Sequence, residues 1–497
     1  MGGDEIPVTG LSALTGLATL PPLFMSQPEL IRGLGLRDAT ALVIGTIIGT
    51  GVFLKTTPMA QAVGAPQWVL LAWIVAGMLS LAGALTYAEL GALLPKAGGE
   101  YVYLRAAYGD LPAFLFGWMR ITIGGAGSIA IAGVAFATFL SSVVPLDAVW
   151  VKKSFLVLGQ KFDWQFGIKQ VVTVVVIAAC AALNCLRVVF GGRLQFVLTS
   201  LKIAAIAAIV IGVFCFGNGT TWEHFAAPLG AENWCGFSAF GTAMIAALWA
   251  FDGWNNMPMV AGEVRHPGRN IPLALFIGML VVLLAYAATN LAYFYALPFT
   301  EILTANSTRH REALPVATMA ARTFLGTHGP SLVSVAFIIS TLGLLNGSLL
   351  TNARVPYAMA RDGLFFARFA RLNATTAVPV TSIIVLAGWA SLLALSGTFD
   401  QLTDCVVFAG WIFYALTTSA VFVLRRKMPG QPRPYKTFGY PFLPVAFIAV
   451  ATALLANTLV TARLESLFGL VLIAAGLPLY RHLKRTQNGF RAARVHR

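Results

Sequence analysis

Twelve stretches of this chain, most of them about 20 residues or longer, are nearly free of charge, and that decides what it can fold into. A run of ~20 apolar residues is long enough to cross ~30 Å of hydrocarbon as a helix. In lipid a helix satisfies every backbone N–H and C=O within itself. The stretches lie near 38–62, 67–92, 110–142, 167–187, 194–217, 237–262, 271–297, 330–355, 379–397, 401–424, 440–462 and 465–483, numbered below as segments 1 to 12. They predict an all-α polytopic membrane protein of twelve spans with one membrane domain over 38–483. Residues 1–37 read as a cytoplasmic N-terminal segment and 484–497 as a basic cytoplasmic tail. The connections 143–166, 218–236 and 298–329 read as irregular and too short for a soluble domain.

Composition agrees. Of 497 residues, 58% are hydrophobic and 11% charged, against roughly 25% charged in an ordinary soluble chain. The net charge of +15 first suggests nucleic acid, but the basic residues gather in alternate connections, the positive-inside pattern. One set holds Arg187, Arg193, Arg265, Arg269, Arg354, Arg361, Arg368, Arg371, the Arg425-Arg426-Lys427 cluster and the tail. Lys152, Lys153, Lys161 and Lys169 on the other side are an exception that leaves the total unchanged. Both termini are expected in the cytoplasm of a plasma-membrane protein. The N-terminus opens with Asp4 and Glu5, without the basic start and cleavage site of a signal peptide.

Enzyme chemistry finds little here. The five cysteines form no Cys-x-x-Cys pair and the six histidines are scattered. No metal-ligand cluster, nucleophile elbow or phosphate loop is visible, and no cofactor is expected.

Two segments are interrupted. Segment 1 carries Gly45-Thr46-Ile47-Ile48-Gly49-Thr50-Gly51-Val52-Phe53, and segment 6 carries Trp249-Ala250-Phe251-Asp252-Gly253-Trp254-Asn255. Glycine lets the backbone leave helical geometry, and in a bilayer such a break survives only beside protein or a water-filled cavity. Paired broken helices in two halves of a chain point to a carrier's binding site.

Charges within apolar segments are expensive and mark function by default. Lys202 lies about two turns inside segment 5. It either snorkels to the headgroups or is a buried ammonium facing backbone carbonyls, where a coupling cation could otherwise sit. Asp252 either caps the second half of segment 6 or brings a carboxylate to a substrate site. Glu89 reads as a structural hydrogen-bonding group. Arg120 and Lys55 stay open between roles. Trp249 is either interface packing or a bulky lid. The run Ile123-Gly124-Gly125-Ala126-Gly127-Ser128 is either a close helix-packing face or room for a substrate side chain.

The segment 1 string resembles the signature of the amino acid–polyamine–organocation superfamily, and more narrowly of the L-type amino acid transporters and their bacterial relatives. Tyr87-Ala88-Glu89-Leu90-Gly91, Gly98-Gly99-Glu100-Tyr101, the segment 6 string and Asn346-Gly347-Ser348-Leu349 follow in family order. The resemblance implies the leucine-transporter-like fold. Segments 1–5 and 6–10 would form a 5+5 inverted repeat, with segments 11 and 12 appended and segments 1 and 6 discontinuous. It implies a sodium-independent amino acid permease, an exchanger first and a proton-linked carrier second, working by alternating access on an L-amino acid within the lipid bilayer. A substrate carboxylate would meet N–H groups near Thr50 and Gly51, and its ammonium the carbonyls near Ile47, Trp249 and Ala250. Ile123 and Gly124 would line the side-chain pocket, Trp249 would gate it, and Lys202 would stand in for sodium. The connection after segment 3 has no cysteine, so no disulfide-linked heavy subunit is expected. Asp252, often glycine in large-neutral carriers, implies a preference for small neutral and some cationic amino acids.

Overall fold

The computed structural model describes residues 29–157, 160–225, 234–310, 312–396, 399–461 and 463–495. Residues 1–28 of the expected N-terminal segment and 226–233 of one expected connection lie outside them. Among the described residues are nine helices long and apolar enough to cross a membrane, with two shorter apolar helices, Ile168–Asn184 and Val380–Leu395. Segment 1 is Leu36–Ile47, then Gly51–Leu54 and Thr56–Val63. Segment 6 is the α-helix Phe237–Ala250, then the 3-10 helix Trp254–Glu263. Segments 1 and 6 are thus discontinuous.

The long segments pack side by side. Segment 2 (Pro66–Leu93) lies along segment 7 (Pro267–Ala296). Segment 3 (Asp110–Met119, a π-turn at Arg120–Gly124, then Gly125–Leu140) lies along segment 8 (Gly329–Asn352), and segment 4 along segment 9. Segment 5 (Val188–Phe216) packs on segments 1 and 8. Small residues make the approaches close, as expected where no hydrophobic force separates helix from lipid. A Cβ on Gly278 of segment 7 would stand 2.6 Å from Val43 of segment 1, and one on Gly133 of segment 3 would stand 2.9 Å from Ile177 of segment 4.

Three expectations need correction. The connection 143–166 is not irregular: Val149–Val157 and Gln160–Gly167 pair as an antiparallel hairpin. Both strands are rich in the β-branched and aromatic residues that favour strands, and Trp164 Nε1 anchors the hairpin on the Leu395 carbonyl of segment 9 at 2.8 Å. The chain is therefore not wholly α. The connection 298–329 also holds two helices, Phe299–Thr304 and Val316–Leu325, the latter packed on segments 5 and 8. Arg354, counted among the basic residues of the connections, is fully buried, its guanidinium bidentate on Glu263 at 2.7 and 2.9 Å. The pair joins the ends of segments 6 and 8, and removing either partner from such a pair costs ~3–5 kcal/mol.

Candidate functional site

The site is built where the two broken helices cross. Segment 1 stays helical through Gly45, contrary to the expectation that all three glycines lie in the break. Gly45 is a packing glycine, whose Cβ would stand 2.4 Å from Thr199 Oγ1 of segment 5. The chain leaves the helix at Ile48, in extended geometry with φ −68° and ψ 95°, and resumes at Gly51. In segment 6 the departure falls at Phe251–Gly253, and Gly253 sits at φ +119°, a conformation that disfavours any Cβ.

The breaks touch reciprocally. The residue that reopens segment 1, Gly51, faces the last helical residue before the break in segment 6, Ala250; a Cβ on Gly51 would lie 2.6 Å from Ala250 Cβ. Gly253, the residue just before segment 6 resumes, faces the last turn before the break in segment 1. Its carbonyl accepts from Thr46 Oγ1 at 3.0 Å, and a Cβ there would lie 2.4 Å from the Thr46 carbonyl oxygen.

The freed carbonyls have partners. Lys202 Nζ donates to Gly45 O and Ile48 O, both at 2.7 Å, and Lys202 is buried. Ser340 of segment 8 donates to Ile48 O and Gly49 O, both at 3.0 Å. Gly343, one turn on, makes room: a Cβ there would lie 2.8 Å from Lys202 Nζ. The side-chain nitrogen of Lys202 thus sits inside the break of segment 1 against segment 8 and does not snorkel.

The other expected residues fall around this point. Tyr286 of segment 7 bridges the two breaks, its hydroxyl within 3.3 Å of Ile47 O and 3.1 Å of Ala250 O. The Trp249 carbonyl accepts from the Asp252 N–H at 3.2 Å. Each carbonyl has two lone pairs, so these bonds leave one for a further donor. Thr50, Trp249 and Asp252 keep part of their surface open, whereas Ile47, Gly51 and Ala250 are buried. Trp249 carries Lys55 Nζ over its ring at 4.3 Å. The Asp252 carboxylate reaches across to segment 10 (Phe399–Lys427), where Tyr414 Oη donates to it at 2.7 Å. Ile123 and Gly124 end the π-turn of segment 3. Ile123 packs in a core cluster with Met119, Met259 and Met359, and a Cβ on Gly124 would meet Met119.

Crossed broken helices are a geometry, not yet a family; sequence comparison supplies that. The family model described as amino acid permease matches residues 34–469. The chain belongs to that family. The permease is 32% identical over 457 residues to the serine/threonine exchanger SteT of Bacillus subtilis (strain 168), covering 91% of this chain and 97% of that one. It is 29% identical to the human cystine/glutamate transporter, over 94% of this chain and 88% of the relative. It is 30% identical to the human b(0,+)-type amino acid transporter 1, over 91% and 88%. The permease is a multi-pass membrane protein of amino acid transport.

On the face that carries most of the arginines, polar side chains tie the segments of the permease together beneath the breaks. The Gly98 N–H donates to Met259 O at 2.8 Å, which pins the 94–109 connection to segment 6. The buried Glu100 accepts from Tyr87 Oη at 2.8 Å and from Asn255 Nδ2 at 3.2 Å. Arg120 Nη2 lies 2.6 Å from Asn256 Oδ1 and 2.6 Å from Asn352 Oδ1, tying segment 3 to segments 6 and 8. Glu89 holds Arg425 bidentately at 2.9 and 2.7 Å and accepts from the Thr437 N–H, the structural role expected of it. Sequence reasoning missed Tyr286, Ser340 and Tyr414, since a lone hydroxyl in an apolar helix carries no sign of its partner. It also left Glu100 as a motif letter, although a carboxylate just before a long apolar stretch was a signal.

Proposed function

We propose that the permease is a sodium-independent amino acid exchanger of the plasma membrane, working by alternating access, with twelve spans and both termini cytoplasmic. The observation that carries this reading is the Lys202 ammonium on the Gly45 and Ile48 carbonyls. A fixed positive charge there removes the need for a bound cation, and a second cation close by in low dielectric is strongly repelled. The reciprocal contacts of Gly51 with Ala250 and Gly253 with Thr46, and the pairing of segments 2 with 7, 3 with 8 and 4 with 9, support the 5+5 inverted repeat with segments 11 and 12 appended.

In this reading the substrate carboxylate lies against the first N–H groups of the helix that reopens at Gly51, beside Thr50. These donors have no preceding helical carbonyl and sit at a positive dipole end. The ammonium takes the remaining lone pairs of the Ile47, Trp249 and Ala250 carbonyls. Trp249, half-open and held under Lys55, covers the ligand, and Ile123 and Gly124 close the pocket on the segment 3 side. Asp252 sets the side-chain preference toward small neutral and some cationic amino acids. SteT exchanges serine and threonine, as its name states, which agrees with a small polar substrate. No disulfide-linked heavy subunit takes part.

The test is counterflow in proteoliposomes. Vesicles preloaded with serine should take up labelled serine many times faster than empty ones, and a panel of twenty unlabelled amino acids ranks the substrates. Equal rates in loaded and empty vesicles would refute exchange. Binding without accumulation would make the protein a sensor.

A further inference from the structure

The broken helices do not account for a concavity on the arginine-rich face. A cavity of about 910 Å³ lies between segment 2, the start of segment 7 and the connection from segment 10 to segment 11. Its walls are Leu85, Pro272, Leu273, Phe276, Tyr435 and Phe438, and its rim is His266 and Arg269. A Cβ on Gly268 would stand 2.9 Å from Pro434, so the two walls close on each other there. None of the lining residues is acidic. The nearby carboxylates are already committed, Glu89 to Arg425 and Glu263 to Arg354.

Phe276, Ile277, Leu280 and Leu284 are exposed along one side of segment 7 and continue the cavity's apolar wall toward mid-bilayer. From Pro267 to Phe276 is nine residues of helix, a rise of about 14 Å. One leaflet of hydrocarbon is about 15 Å deep. The slot therefore has the depth of an acyl chain, with two basic side chains at headgroup level. Arg265 and Lys436, both exposed, flank it.

We infer that this cavity binds an anionic phospholipid of the leaflet on the arginine-rich face, its chain along Leu85, Leu273 and Phe276 and its phosphate at Arg269 and His266. Bound there, the lipid bridges segments 2 and 7 to the 428–441 connection. An amphiphile fits better than a free anion, because the lining is mainly apolar and only the rim is charged. An anionic headgroup fits better than a zwitterionic one, because the rim has no carboxylate for a choline or ethanolamine group.

The experiment uses the full chain, purified and delipidated. Retained lipid is measured by native mass spectrometry and thermal midpoint by a melting assay, with phosphatidylglycerol, phosphatidylcholine of the same chains, or inorganic phosphate added. Phosphatidylglycerol is expected to be retained and to raise the midpoint, while the other two do neither. A basic side chain near an anionic surface strengthens binding by roughly fivefold. Arg269→Gln should weaken phosphatidylglycerol retention by about that factor while melting like the wild type in phosphatidylcholine. Leu273→Trp, which fills the chain slot, should abolish retention. Equal retention of the two lipids, stabilisation by phosphate alone, or undiminished retention in both variants overturns the proposal.

Discussion

Replacing Gly51 by alanine tests whether the crossing of the two breaks is the working part. The added Cβ would stand 2.6 Å from Ala250 Cβ and 2.9 Å from Ala250 Cα. Carbon atoms rest at ~3.5–4.0 Å, so segments 1 and 6 must part by about 1 Å. Neither neighbouring atom is the end of a flexible side chain, so backbone must move. Overpacking of this kind costs ~1–3 kcal/mol. The lower entropy of an unfolded alanine returns ~0.4–1 kcal/mol of that. Net destabilisation is therefore small, and the protein should still reach the membrane. Function should suffer more, because a misplacement of about 1 Å among groups that share one ligand can cost on the order of 100-fold. Gly241, in the outer half of segment 6, has nothing within 4 Å of its would-be Cβ. Gly241→Ala therefore receives the same entropic gain without the clash. Initial uptake by proteoliposomes, normalised to folded protein, should fall by tenfold or more in Gly51→Ala and stay near wild type in Gly241→Ala. Wild-type uptake by Gly51→Ala would refute the reasoning.

Three further outcomes are expected. Trp249→Ala should raise the substrate dissociation constant and slow transport; a lower melting temperature with unchanged affinity would make Trp249 filler. Asp252→Gly removes the acceptor of Tyr414 Oη and should shift the competition panel toward larger neutral substrates and away from lysine and arginine. An unchanged rank order with all rates scaled alike would remove Asp252 from specificity. Glu100, in the connection between segments 2 and 3, is pushed up to about 7 by burial; the Arg120 charge works against the rise and Asp252 adds to it. The folded chain then keeps a proton that the unfolded chain, with its usual value of 4.5, has lost. Stability from this group is full below the unfolded value and is lost as pH rises through about 7, by on the order of 3 kcal/mol. Melting scans from pH 5 to 8 should show that fall in the wild type and a flatter curve in Glu100→Gln; an identical slope in both contradicts the assignment.

What could be read in the sequence divides along a physical line. Apolar length and glycine spacing are local, so the helical segments, an interruption somewhere within 45–53 and another within 249–255, and the family signature could be read directly; that Gly45 stays in the helix could not. Lys202 could be read because a lysine two turns inside an apolar helix must find acceptors. Pairings across segments could not. Arg354 looks like any loop arginine until Glu263, 91 residues earlier, is seen against it. Tyr286 and Tyr414 look like packing aromatics until the freed carbonyls and Asp252 are placed beside them. The hairpin at 149–167 was hidden because its lysines broke the apolar alternation that marks a strand. The π-turn at Arg120–Gly124, whose Arg120 reaches Asn256 and Asn352, has no local spacing rule that announces it.

The central claim is that Lys202 fills the place of a coupling cation, and removing sodium tests it most directly. Labelled serine exchange is measured in proteoliposomes at fixed pH, with sodium chloride on both sides replaced by choline chloride. The account predicts an unchanged initial rate in the wild type. It also predicts strongly impaired exchange in Lys202→Ala, whose Gly45 and Ile48 carbonyls lose a charged donor worth ~1.5–3 kcal/mol per hydrogen bond. A steep loss of wild-type rate without sodium, or full activity in Lys202→Ala, would contradict it.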